Sequence, residues 1–363
     1  MDRKTALVFL FAIVLGLFMR SGHLLYWNHP YADSESQLTI LPMEQVISGA
    51  TPVFLEKAPI SLIGVFSYEL LHPIGLSLYQ SLFVLQGLFI VFAFILVYSI
   101  TFKLSNENTA LYACLLFAVM PTAVLSQNIG NYVGDSFEAV FVLLAVYLLV
   151  IAFKRGSVLL FLVSLIIAFI CSQFWNGGLF VLSAWGIGVI GICALYLTSK
   201  RKALLIIGLL MLFLWILYSH SSLYVGPALS NDNAVSLSQV YSLNLQTLIS
   251  QQNVNRLMPI GDLDSFLLGS ALFALPLIFL LFLGWQKQFP FIMGLMAIAI
   301  TGLPEAVIDA RFESLIVMPI VILASLGSTY IRIPHKKLVY SLFLFLLVIF
   351  VIGEIWLTPV LWY

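Results

Sequence analysis

The residues best equipped for chemistry in this chain are paired carboxylates. Asp33 and Glu35 stand two apart in Tyr31-Ala-Asp-Ser-Glu-Ser-Gln-Leu38. Such a pair can share one cation or one polar ligand, although a solvated acidic loop gives the same pattern. Asp135 and Glu138 stand three apart in Gly134-Asp-Ser-Phe-Glu138, a spacing that sets both on one face of a helix. Capping is the competing reading: Asp135 or Ser136 as N-cap, with Glu138 as a first-turn acid facing the helix dipole. A fixed cation, Arg311, lies in Asp309-Ala-Arg-Phe-Glu313. A guanidinium grips phosphate oxygens in bidentate fashion, and pairing with Asp309 or Glu313 is its structural alternative. Trp175-Asn-Gly-Gly178 carries paired glycines suited to a tight turn or close backbone approach. Cys114, Cys171 and Cys193 sit in apolar runs, and His23, His29, His72 and His220 are scattered. Neither a disulfide framework nor a zinc site is expected. The hard oxygen donors suit Mg²⁺ or Mn²⁺.

What must position these residues is a set of membrane helices. Of 363 residues, 62% are hydrophobic and 9% charged, and the mean hydropathy is +1.08. A soluble fold of this length cannot hide so much apolar surface. A soluble enzyme, a disordered chain and a nucleic-acid binder with a basic face are thereby excluded. Apolar stretches near the bilayer-spanning length recur at 5–19, 78–102, 108–127, 137–153, 157–174, 178–198, 203–219, 265–284, 289–303, 312–331 and 338–358. The expected fold is an all-α polytopic membrane protein with about eleven transmembrane helices, residues 1–363 forming one transmembrane domain. The first span is read as a retained helix, because Phe18-Met-Arg20 is no cleavage site.

The charges are sided. With the N-terminus in the cytoplasm, the inner segments hold Arg3, Lys4, Lys103, Lys154, Arg155, Lys200, Arg201, Lys202, Lys287, Arg332, Lys336 and Lys337. The outer ones hold only Arg20, Lys57, Arg256 and Arg311, in line with the positive-inside rule. Nearly all acidic residues fall on the outer side, and carboxylates contribute little to topology. Their crowding calls for a functional cause. The first outer loop, 20–75, is too apolar to be free, so short interfacial helices are expected there. A second long outer loop, 220–264, is polar. No soluble domain is expected after the last span.

The order of these motifs resembles the catalytic subunit of oligosaccharyltransferase, in its archaeal branch, a membrane glycosyltransferase of the GT-C superfamily. The likeness covers about residues 1–330. In the resemblance Asp33 matches the metal-binding aspartate of the first outer loop. Ser126–Phe141 matches the second acidic motif, with Asp135 a metal ligand and Glu138 a second one. Phe174–Gly178 matches a W-G-G-Y segment. Arg311-Phe312, followed by Pro319, matches a stretch whose arginine contacts the donor pyrophosphate. The chain departs from the pattern at Gln127 or Asn128, where the family has arginine. It departs again at Ser250, where the family has glutamate, and in lacking the soluble C-terminal domain.

The resemblance implies transfer of a sugar or oligosaccharide from a polyprenyl (pyro)phosphate carrier to protein or another acceptor, at the extracytoplasmic face of the cell membrane. Asp33, Asp135 and Glu138 would hold Mg²⁺ or Mn²⁺, and Arg311 would bind the donor phosphate. Glu35 would orient the acceptor or complete the metal shell. The expected partners are the lipid-linked donor, the acceptor, the bilayer and a subunit supplying the missing soluble domain; no nucleic acid is expected. Two rival readings stand beside it. One is a non-catalytic paralogue that binds lipid-linked glycan or a partner subunit. The other is a transporter or flippase, which ranks lower because the charges gather at the outer boundary rather than within spans.

Overall fold

The computed structural model describes residues 2–21, 34–49, 58–120, 123–124, 129, 134–155, 157–171, 313–330 and 335–352. Among the described residues all regular structure is helical, with no strand. In chain order the helices are α1 (Arg3–Ser21), α2 (Ser34–Ile47), α3 (Ala58–Leu71), α4 (Leu78–Leu104), α5 (Glu107–Val119), α6 (Gly134–Arg155), α7 (Val158–Cys171), α8 (Glu313–Tyr330) and α9 (Lys336–Val351). Two of them, α1 and α4, are long and apolar enough to cross a membrane. At 1.5 Å per residue the 27 residues of α4 rise about 40 Å. The expected spans between 174 and 311, and the long outer loop at 220–264, lie outside the described residues.

Local sequence explains the helix boundaries. Asp2 caps α1, its carboxylate accepting the Thr5 N–H at 2.7 Å. That bond holds the Asp2 carboxyl below its ordinary value of 3.8. Ser77 and Gln80 form a reciprocal capping box at the start of α4. Asn106 accepts the Thr109 N–H at 3.0 Å and starts α5. The expected span 108–127 is interrupted. α5 ends at Val119 because Met120, which precedes Pro121, is extended (φ −69°, ψ 121°), as the proline ring demands of its predecessor. Two helices, α2 and α3, occupy the loop expected to carry short helices. α1 runs on to Ser21 and takes Arg20 out of the loop in which the charge reading placed it.

α4 and α5 are the centre of the bundle. α1, α8 and α9 pack against α5, while α3 and α6 pack against α4. α6 and α7 form a hairpin, which the buried Ser164 hydroxyl ties by donating to the Ala145 carbonyl at 2.7 Å. α8 lies in a groove between α5 and α6 and buries Met318, Val321, Ile322 and Leu326 there. Close approach of α1 to α4 depends on Gly16, where a Cβ would collide with the Phe94 ring. Small residues at helix contacts serve this purpose in membranes. The outward faces are as apolar as the inward ones: Leu7, Phe11 and Val14 on α1, Leu88 and Ile95 on α4, and Leu342 and Phe345 on α9 are all exposed. A helix apolar all round suits hydrocarbon better than water, and this supports membrane association.

Ring contacts fix which helix ends lie together. At one pole Phe9 meets Tyr98 (4.9 Å), Lys103 Nζ sits 4.7 Å from the Tyr147 ring, and Tyr112 stacks on Tyr340 (5.0 Å). Tyr340 donates to the Ser328 carbonyl at 2.7 Å, which brings the last turns of α8 to the same pole. At the other pole Phe89 meets Phe137 edge-on at 4.6 Å, and Arg20 reaches the end of α5. Described basic residues other than Arg20 gather at the first pole: Arg3, Lys4, Lys103, Lys154, Arg155, Lys336 and Lys337. The second pole receives the starts of α4, α6 and α8, and with them Glu44, Asp135, Glu138 and Glu313.

Candidate functional site at the acidic pole

The helix that carries the second acidic pair is anchored by aromatics. Phe137 is buried, and Phe89 of α4 contacts both Phe137 and Phe141, at 4.6 and 5.6 Å. Val140 and Leu143 continue the same buried side. Helix α6 begins at Gly134, so the backbones of Asp135, Ser136 and Glu138 all lie in its opening turns. The capping alternative required Asp135 or Ser136 to precede the helix. Instead, both belong to it. An acid in a first turn is favoured by the exposed N–H groups of the helix end.

α8 starts at Glu313, two residues after Arg311, and packs against α6. The bundle brings the opening turns of α6, with Asp135 and Glu138, and of α8, with Glu313, to one pole. Glu35 lies in the first turn of α2. Asp33, Arg311 and Trp175–Gly178 lie outside the described residues. Among the described residues no three His, Cys, Asp or Glu side chains form a group able to hold a metal ion. The donor chemistry of Asp33, Asp135 and Glu138, all hard carboxylate oxygens, fits Mg²⁺ or Mn²⁺.

Arg20, placed by its charge in the outer loop, has a structural role at this pole. Arg20 is fully buried. Its Nη1 donates to the Gly16 carbonyl at 3.1 Å and the Ala118 carbonyl at 3.4 Å, and its Nη2 to the Phe117 carbonyl at 3.1 Å. The guanidinium lies 4.7 Å from the Phe117 ring and 5.8 Å from the Phe94 ring. A cation at the end of α5 meets the negative end of the helix dipole, and the two rings add cation–π attraction. The Arg20 carbonyl also accepts the Ile129 N–H at 3.0 Å. Arg20 therefore joins the end of α1, the end of α5 and the segment that leads into α6. The available signal was Gly16 four residues before an arginine that closes an apolar run.

No family model matches this chain, and no curated protein matches it.

Proposed function

We propose that the chain is a membrane glycosyltransferase of the oligosaccharyltransferase type, acting at the acidic pole on a polyprenyl (pyro)phosphate-linked sugar or oligosaccharide. The observation that carries this reading is the packing of α6 on α8 with their opening turns at one pole. Asp135 and Glu138 lie in the opening turns of the first helix, and in the sequence Arg311 stands two residues before the second.

In this reading the Arg311 guanidinium donates two parallel hydrogen bonds to the oxygens of the donor phosphate. It fixes the sugar's anomeric carbon before transfer and stabilises charge as the carrier departs. Asp33, Asp135 and Glu138 would hold Mg²⁺ or Mn²⁺, which would supply positive charge to offset that of the leaving phosphate. Glu35 orients the acceptor nucleophile. The lipid carrier lies along the apolar helix faces. The acidic pole is extracytoplasmic and the basic pole cytoplasmic, as the positive-inside rule requires.

Membranes containing the full chain, given a fluorescent polyprenyl-pyrophosphate sugar with Mg²⁺ or Mn²⁺, test the reading. Transfer to acceptor is expected, with loss of at least a hundredfold in Asp33→Ala, Asp135→Ala and Arg311→Ala. Wild-type rates in Asp33→Ala and Asp135→Ala would end the proposal. Metal-dependent donor binding without turnover would favour the non-catalytic reading, and donor movement between leaflets without bond cleavage the flippase reading.

A further inference from the structure

A second feature of the acidic pole lies apart from the carboxylates invoked for transfer. α3 ends in a 3-10 turn (His72–Ile74) closed by Gly75, whose N–H donates to the His72 carbonyl at 2.8 Å. Gly75 has φ +89°, a left-handed conformation that favours glycine. This bend sets the end of α3 and the start of α4 beside the end of α2, leaving an open cavity of about 480 Å³ between the three. Small-molecule sites span roughly 300–1,000 Å³. Polar groups from all three elements line it: Glu44 and Ser48, Tyr68 and His72, and Ser77. Ile47 and Leu78 add an apolar side. The carboxylate is held in place, since Tyr79 donates its hydroxyl to Glu44 Oε1 at 3.2 Å. The Tyr68 and His72 rings lie 4.7 Å apart and brace one another.

The lining narrows the ligand. Among the described residues neither lysine nor arginine lines it, and Glu44 would repel an anion, so a phosphate or a sugar acid is disfavoured. Among the described residues the lining offers one carboxylate and one imidazole, too few to ligate a hard divalent cation. A lipid tail would cover Glu44 without giving it a donor, which costs stability. The Ser48 hydroxyl already donates to the Gln45 carbonyl at 2.9 Å and the Ser77 hydroxyl accepts the Gln80 N–H at 3.3 Å, so the first keeps acceptor and the second donor capacity; a lone ammonium would satisfy Glu44 but accept nothing from the Ser77 or Tyr68 hydroxyl. What matches is a ligand with many hydroxyls, which both donate and accept, and with a C–H face for the aromatic and aliphatic side. We infer that the cleft between α2, α3 and α4 is a binding site for a neutral saccharide of one or two rings. This goes beyond the proposed transfer and does not require it, because the cleft uses none of Asp33, Asp135 or Arg311.

The test uses the full chain in lipid nanodiscs, avoiding sugar-based detergents. Saturation-transfer NMR is run with a panel of neutral mono- and disaccharides, a sugar acid and tetramethylammonium. At least one neutral saccharide should bind. Its affinity should fall at least tenfold in Glu44→Ala and in Ser48→Trp, which fills the cleft from an exposed position. Thermal unfolding confirms that both variants are folded. Binding should persist in Asp135→Ala even where that variant abolishes transfer, which separates this inference from the proposed function. No binding by any neutral saccharide, binding only of tetramethylammonium or the sugar acid, or saccharide binding unchanged in both cleft variants would overturn it.

Discussion

Two charged groups at the same pole, Arg20 and Glu44, live in opposite surroundings. Arg20 has no contact with solvent, and main-chain carbonyls of two helices together with two aromatic rings surround it. Glu44 is exposed, accepts from the Tyr79 hydroxyl among the described residues and borders an open cavity. A charge enclosed by its own protein is committed to architecture, because its hydrogen-bonding capacity is directed inward. An exposed charge beside an open cavity keeps capacity for something that arrives from outside. The contrast separates what builds this pole from what the pole can bind.

The sharpest way to break that comparison is to remove the enclosed charge. Arg20→Ala should lower stability by about 3 kcal/mol, since it strips charge-assisted bonds from buried carbonyls. Thermal unfolding in nanodiscs reads the effect. Arg20→Lys should restore less than half, because an ammonium lacks the planar fork. A stability equal to wild type in Arg20→Ala would make the buried corner incidental. Next in size is Gly16→Ala, where the added methyl meets the Phe94 ring; overpacking of this kind costs about 1–3 kcal/mol. A neutral result would mean that α1 can stand off from α4 freely. Ser77→Ala, at the cleft, removes half of a capping box and should cost about 1 kcal/mol, measurable as faster amide exchange confined to the first turn of α4. Smallest is the exposed cap at the opposite pole. The Asp2 carboxyl is held below 3.8 by the Thr5 N–H. Its contribution is therefore complete above that pH and disappears as pH falls through the lowered value. Asp2→Asn should flatten that acid limb alone, and an unchanged acid limb would show that the cap is not formed.

The sequence could be read furthest where a single segment decides its own state. The apolar stretches 78–102, 137–153, 157–174 and 312–331 coincide with the helices α4, α6, α7 and α8 to within a few residues, α4 being the one of these four described helices long and apolar enough to cross a membrane, because apolar length is a local property. The early end of α5 is equally local, set by Met120-Pro121, although apolarity continues beyond it. Arg20 is a different case. Its burial depends on the end of α5, nearly a hundred residues away, and no periodicity within 5–19 foretells which carbonyls will surround it. The cleft has the same origin, since Glu44, Tyr68 and Ser77 meet only after α2, α3 and α4 pack. Of the proposed metal and phosphate ligands, the placement of α6 and α8 at one pole is a tertiary outcome that the motif order alone could not supply.

The Arg20 junction also governs how the molecule can breathe. Parting α1 from α5 would carry a permanent cation into hydrocarbon, at a cost of about 2.5–3.5 kcal/mol near the membrane centre and less towards its edge. That seam behaves as a latch. The contact between α4 and the α6–α7 hairpin is made differently, by Phe89 against Phe137 and Phe141 and by Lys103 over the Tyr147 ring, with no enclosed guanidinium to hold it shut.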